Sequence, residues 1–288
     1  MIRWSFAARS VAITAIATAV VITGCAPAVG HGDADAPAPA APPGRLFTGD
    51  FSTGDFSQWP LMATKYYGTP EQLLPGSGYT PDYPATIVDD PVKGKAARFE
   101  VRSGDRVGKT ESSQVTATSD STGGTEGQVR WYAFSTKFDP TFPMDHASLG
   151  WGLTNQWHDD ANTDGSPPFG FYVDQQNGQW SLTIQRQSSP RVFLDVFPIW
   201  NTPLDRGTWH DIKMEVMFST SDSTGYIRLW HNGVRQTFVN GSDTYHVRTL
   251  TPGTNSVYYK EGYYRTPIGP TGIVYQSGFR SADNEAGL

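Results

Sequence analysis

From Gly94 to Gly278 the apolar residues recur at short range, in runs rich in Val, Ile, Phe, Tyr and Trp that each stop at turn residues. That pattern predicts strands rather than helices. The runs are Ala97–Arg102, Val129–Phe138, Gly150–Trp157, Phe169–Asp174, Trp180–Arg186, Val192–Phe197, Trp209–Phe218, Tyr226–His231, Val234–Phe238, Tyr258–Tyr264 and Gly272–Gly278. Asn177-Gly178 and Asn232-Gly233 fall between runs, where a tight hairpin needs residues tolerant of positive φ, and Asp222–Gly225 reads as a longer hairpin loop. No segment carries a sustained helical stripe apart from the apolar N-terminal stretch. The 30 Gly and 21 Pro suit many short strands, and 9 Trp, 13 Tyr and 15 Phe can fill one large core. So many antiparallel runs in one domain's length predict an all-β sandwich of two antiparallel sheets, a jelly roll. No repeat appears at a propeller or solenoid period.

The first residues read as an address. Arg3 and Arg9 flank a positive start, and Val11–Ile22 is apolar but short for a membrane span. The stretch ends Ile22-Thr23-Gly24-Cys25, which resembles a bacterial lipobox. That resemblance implies cleavage after residue 24, lipidation of Cys25, and an exported lipoprotein held at the cell envelope. Residues 25–44 are rich in Ala and Pro and read as an extended tether. Residues 45–288 form the expected folded domain, a monomer.

Charge and cysteine count narrow the function. The net charge of -6 becomes -8 once residues 1–24, with Arg3 and Arg9, are removed. This argues against nucleic acid as a partner. A single Cys excludes a disulfide framework and a Cys-rich zinc site, and His146, His158, His210, His231 and His246 are too scattered for a zinc motif. No Gly-x-Ser-x-Gly is present, and Glu111 and Glu215 lack an obvious carboxylate partner for glycoside hydrolysis. Asp160–Gly165 matches the first half of a calcium loop, but Phe171 stands where the bidentate Glu belongs. No cofactor is required; the run would hold at most a structural Ca²⁺.

Three stretches carry chemistry. In Asn155-Gln156-Trp157-His158, a strand puts Gln156 and His158 on one face and Trp157 on the other. In Tyr258-Tyr259-Lys260-Glu261-Gly262-Tyr263-Tyr264-Arg265, Tyr258, Lys260, Gly262 and Tyr264 share a face. A cation and a phenol there flank a position with no side chain, which would leave a ligand room beside the backbone. In Gly108-Lys109-Thr110-Glu111-Ser112-Ser113-Gln114, strand alternation would align Lys109, Glu111 and Ser113.

Together these stretches resemble the alginate-lyase and heparin-lyase-I-like polysaccharide lyases, which are concanavalin-like β-jelly rolls. Gln156-Trp157-His158 resembles their Gln-x-His element and Tyr258 to Tyr264 their Tyr-x-Lys-x-Gly-x-Tyr element. Phe47–Phe51 with Trp59, Ser166-Pro167-Pro168, Gly207–Asp211 and Leu229–Gly233 resemble framework elements of the heparin-lyase-I-like branch, so the likeness spans roughly Leu46 to Gly278. One element departs: Lys109-Thr110-Glu111-Ser112 stands where the family carries an Arg-x-Glu-Leu strand, and Lys lacks the guanidinium fork that grips a carboxylate.

The resemblance implies β-elimination on an acidic polysaccharide, in which a uronate carboxylate is neutralised, the C5 proton removed and O4 expelled. Gln156, helped by Asn155, Lys109 or a nearby Arg such as Arg106 or Arg102, would neutralise the carboxylate. Tyr264 would be the acid. His158 would be the base where C5–H and O4 lie on opposite faces, and Tyr264 would serve as both acid and base where they share one. Lys260 would assist proton transfer at the Tyr264 phenol, and Tyr258 and Arg265 would help to bind substrate. A basic groove of Arg102, Arg106, Lys109, Arg186, Lys260 and Arg265 would offset the negative net charge. An unsulfated polyuronate suits that charge better than heparin. The competing expectation is a non-catalytic carbohydrate-binding module, or an inactive lyase, on the same fold.

Overall fold

A computed structural model describes residues 42–64, 67–73, 83–144, 151–160, 165–174 and 177–288. The signal segment, Cys25 and the tether up to residue 41 lie outside these. The strands in chain order are β1 (Arg45–Gly49), β2 (Leu61–Ala63), β3 (Tyr67–Gly68), β4 (Ala85–Asp90), β5 (Gly94–Val101) and β6 (Arg106–Val107). They continue with β7 (Thr110–Thr116), β8 (Val129–Phe138), β9 (Gly152–Asp159), β10 (Phe169–Asp174), β11 (Gln179–Ser189) and β12 (Val192–Pro203). The last are β13 (Trp209–Met217), β14 (Tyr226–His231), β15 (Val234–Arg235), β16 (Tyr245–His246), β17 (Val257–Arg265) and β18 (Gly272–Ala282).

These strands form two antiparallel sheets, the all-β sandwich read from the alternation. One runs β15-β14-β13-β8-β18-β5-β4, with β1 on β18 and β16 on β14. The other runs β12-β11-β10-β9-β17-β7-β2-β3, with β6 on β7. The inner faces hold the aromatic core expected from composition. Trp157 stacks on Phe169 at 4.7 Å and Tyr259 on Phe279 at 3.9 Å, the latter pair joining the two sheets. Burying each such side chain contributes roughly 1.5–3 kcal/mol.

Asn232 and Gly233 take φ of 50° and 79°, and His231 pairs with Val234 across them, so this turn is the two-residue type read from the sequence. The strands upstream of Gly94 and the polar β7 do not stand out by hydrophobicity. Most of the upstream strands are short, and β7 spends one face on polar groups.

Two irregularities shape the second sheet. Against β10, Phe171 pairs with Asn155 but Tyr172 pairs with Leu153, so Thr154 is an extra residue in β9. Against β17, Glu261 pairs with Asn155 and Tyr264 with Leu153. This bulge lets Leu153, Gln156 and His158 share the outer face while Thr154, Asn155 and Trp157 turn inward.

Candidate active site

The outer face of the second sheet carries a cleft of about 560 Å³ across β7, β17, β9, β10, β11 and β12. Its floor is laid in rows set by the strand register. Lys260 on β17 pairs with Gln156 on β9, which pairs with Gly170 on β10. A Cβ on Gly170 would lie 2.8 Å from the Asn155 carbonyl oxygen, so the backbone spacing demands glycine and the floor stays open beside Gln156. The neighbouring row is Ser112, Tyr264, Leu153 and Tyr172. His158 pairs with Tyr258 toward the other end. Of the residues expected to be catalytic, Gln156, His158, Lys260 and Tyr264 all line this one cleft.

A hydrogen-bond relay orients Gln156. Its Nε2 donates to Gln114 Oε1 at 2.6 Å, Gln114 Nε2 donates to Ser112 Oγ at 2.7 Å, and Ser112 Oγ donates to the Ala63 carbonyl at 2.9 Å. A backbone carbonyl only accepts, so the last link fixes the direction of the others. Gln156 Oε1 is buried and has no hydrogen-bond partner among the described residues.

Lys260 stands between the two ends of the site. Its Nζ lies 5.9 Å from the Tyr264 ring centre and 6.0 Å from that of Tyr258. Burial lowers its pKa to about 8, because a desolvated ammonium is less stable than one in water. Trp151 leans against Tyr264 with ring centres 5.0 Å apart. The His158 ring stacks on Tyr258 at 5.1 Å, and its Nδ1 lies 2.9 Å from the Asp159 carbonyl oxygen. Donation to that carbonyl puts the proton of the neutral ring on Nδ1 and leaves the lone pair on Nε2, the form a general base needs. The Asp159 carboxyl is raised to about 6 by burial.

Several expected contributors lie elsewhere. Asn155 faces the core, where Nδ2 donates to Tyr259 Oη at 2.7 Å, because strand alternation turns it away from Gln156. Lys109 occupies the β6–β7 turn with Gly108 at φ 63°, exposed to solvent and outside the cleft lining. The residues once aligned with it, Glu111 and Ser113, face inward; the cleft face of β7 is Thr110, Ser112 and Gln114. Arg106 is exposed on β6, alternating with the cleft-lining Val107. Arg265 is buried against Glu111, with Nη2 to Oε2 at 2.9 Å, and ties β17 to β7 instead of meeting substrate.

Arg102 pairs with Glu100, and Arg186 with Asp195 and Asp222. The basic groove therefore reduces to Lys260 among the described lining residues. Tyr258 reaches the site through His158. Gly262 is also reassigned: at φ 134°, a Cβ there would lie 2.2 Å from the Ser113 carbonyl oxygen, so glycine serves the close approach of β7 and not a ligand. His210 and His231 stack on each other at 5.3 Å in the opposite sheet.

Residues 161–164 of the calcium-like run lie outside the described residues. Among those described, no group of three or more His, Cys, Asp or Glu could hold a metal ion. No carboxylate lines the cleft among the described residues.

Sequence reasoning missed Gln114, Ser112, Leu153, Tyr172 and Gln185, all of which line the cleft. Anchoring β7 on buried Val115 would have exposed Gln114 by alternation. The Thr154 bulge leaves no comparable mark that reveals Leu153.

Solved structures share the fold at low identity. An endo-β-1,4-glucuronan lyase from Trichoderma reesei superposes with a TM-score of 0.61 at 14% identity, covering 83% of this chain and 95% of that one. Alginate lyase PA1167 from Pseudomonas aeruginosa gives 0.50 at 15% identity, covering 78% and 97%. No curated protein matches the chain. The family model of the polysaccharide lyases matches residues 51–280, and with most of the folded domain inside that match, the chain belongs to the polysaccharide lyase family.

Proposed function

We propose that this lyase cleaves an unsulfated uronic-acid polymer by β-elimination in the cleft between β7 and β12. The observation that carries the reading is the meeting of Gln156, Lys260, His158 and Tyr264 in one cleft with no carboxylate among its described lining residues. Hydrolysis of a glycosidic bond needs two carboxylates; elimination needs a neutraliser, a base and an acid. Known structures of this fold that act on glucuronan and alginate support the same substrate class.

Gln156 offers the uronate carboxylate its remaining amide hydrogen, held in place by Gln114, and Lys260 supplies positive charge below its pKa. Both interactions strengthen as the C5 proton leaves and charge builds on the carboxylate oxygens. Tyr264 gives its proton to the departing O4. The C5 proton goes to His158 Nε2 when it lies opposite O4, or to the Tyr264 oxygen when it shares O4's face. The products are a new reducing end and a 4,5-unsaturated uronate, with no water consumed and no cofactor used. A single lysine among the described lining residues suits one carboxylate per sugar better than a sulfated chain.

Export and lipidation at Cys25 belong to the same proposal, since they place the enzyme where polysaccharide is met. Their support is the lipobox-like sequence, and Cys25→Ser should release the protein from the membrane fraction.

The test is to incubate the Cys25→Ser protein with glucuronan, alginate, hyaluronan, heparin and heparan sulfate, and to follow ultraviolet absorbance of the unsaturated product. Growth on an unsulfated polyuronate, lost in Tyr264→Phe, supports the reading. A flat trace from folded protein that still binds sugar replaces it with a carbohydrate-binding module.

A further inference from the structure

Tyr172 is a second phenol in the cleft that the elimination chemistry does not use. It stands on β10 opposite Leu153, which in turn stands opposite Tyr264, so the two tyrosines bracket Leu153 in one row across three strands. Strands lie about 4.8 Å apart, which puts their backbones roughly 10 Å from one another, room for one pyranose ring over Leu153. The Tyr172 hydroxyl oxygen is buried and has no hydrogen-bond partner among the described residues. An orphaned buried hydroxyl costs about 1–3 kcal/mol, and such groups call for an explanation. Burial raises the Tyr172 pKa, so the group stays a neutral donor throughout the working pH range.

The remaining groups at this end fit a sugar. Leu153 gives an apolar floor, Trp151 is exposed beside Tyr264, and Gln185 on β11 adds an amide. An apolar base with a few convergent polar groups is the usual make-up of a saccharide pocket.

We propose that Tyr264, Leu153 and Tyr172 form a sugar subsite next to the reacting bond, in which the Tyr172 hydroxyl donates a hydrogen bond to a ring hydroxyl of the uronate unit seated over Leu153. This rests on the lyase reading and adds a substrate-binding residue to it. The hydroxyl is unsatisfied in the empty cleft and becomes satisfied by ligand, so affinity is gained where stability is sacrificed.

That trade gives a test on the full exported chain. Binding of a saturated uronate tetrasaccharide is measured by calorimetry to Tyr264→Phe, which cannot turn it over, and to Tyr264→Phe/Tyr172→Phe. The single variant Tyr172→Phe is assayed for KM and kcat, and its thermal midpoint is recorded. The expected result is roughly tenfold weaker binding in the double variant and a KM raised by about as much in Tyr172→Phe. The thermal midpoint should be equal or higher, since the orphaned hydroxyl is gone.

Equal affinity in both backgrounds would overturn the subsite while leaving the lyase intact. A lowered thermal midpoint with unchanged KM would overturn it in favour of a structural role. Absence of both product formation by the wild type and uronate binding by Tyr264→Phe would reject the lyase reading, and the subsite with it.

Discussion

Gln156 donates from Nε2 to Gln114 Oε1 at 2.6 Å, and the direction of that bond is set three groups away by the Ala63 carbonyl. The amide proposed to neutralise the uronate is therefore positioned by β7, a strand with no arginine in the cleft. Gln114→Leu removes the acceptor and leaves Gln156 free to rotate. The expected outcome is a fall in kcat/KM of roughly 10–100-fold, on the scale of losing one oriented donor in a transition state. Steady-state kinetics check it. A normal rate with a lowered thermal midpoint would mean the relay serves stability alone.

Lys260 predicts a pH limit. Its pKa is lowered to about 8 by burial, so the ammonium proposed to attract the uronate is present below that pH and lost above it. KM for a polyuronate should rise as pH passes through about 8, and Lys260→Met should remove this dependence. The same shift acts on folding. Burying the charge is a penalty present below the folded pKa and relieved as pH rises toward the unfolded value, so that side chain makes the fold more stable with rising pH across this window. Steady-state kinetics of wild type and Lys260→Met between pH 7 and 10 check the first effect, and denaturant titrations over the same range check the second.

Arg265 and Glu111 predict a stability effect without a binding effect. Both are about 1% exposed, and Glu111 also accepts from the Gly104 amide at 2.8 Å. Arg265→Met leaves a buried carboxylate unpaired and should destabilise the fold by about 3–5 kcal/mol. Urea unfolding checks it. Oligosaccharide affinity should be unchanged under conditions where the variant is folded.

Asn155 belongs to a polar network in the core. It donates to Tyr259 Oη, and Tyr259 Oη donates to Glu261 Oε2 at 3.0 Å. Burial raises the Glu261 pKa well above the ordinary carboxyl range, because a desolvated carboxylate is less stable than one in water. A carboxyl with a raised folded pKa contributes stability that is full below its unfolded value and lost as pH rises through its folded one. Glu261→Gln should flatten this decline, while kcat at fixed pH stays near wild type. Thermal midpoints from pH 4 upward test it.

The sandwich and the two motif strands were legible because alternation is a local property. Trp157 in and Gln156 and His158 out, or Tyr259 in and Lys260 out, follow from a period of two. Asn155 shows the limit: two side chains adjacent in a strand cannot both meet one carboxylate, and a period-two reading already separates them. The Thr154 bulge lay beyond reach because it arises from pairing with β10. Arg265 was misread because its partner, Glu111, comes from a strand 154 residues away, and nothing local to Arg265 marks it as buried. Lys109 was misplaced when β7 was extended through Gly108, which instead forms a turn.

Substrate stereochemistry tests the division of labour proposed for His158 and Tyr264. In 4-linked D-glucuronate or D-mannuronate the C5 hydrogen and O4 lie on the same face of the ring; in L-guluronate they lie on opposite faces. One phenol can serve both atoms only in the first case. On glucuronan, Tyr264→Phe should lose both acid and base and fall by at least about 10³-fold. His158→Ala, which removes only a nearby group, should lose roughly 10-fold. On guluronate blocks both variants should fall by about 10²–10⁴-fold, because each removes one of two separate proton-transfer groups. The measurement is kcat for both variants on the two defined polymers. Equal losses on glucuronan would assign the C5 proton to His158 Nε2 in every case, with the Asp159 carbonyl fixing its tautomer.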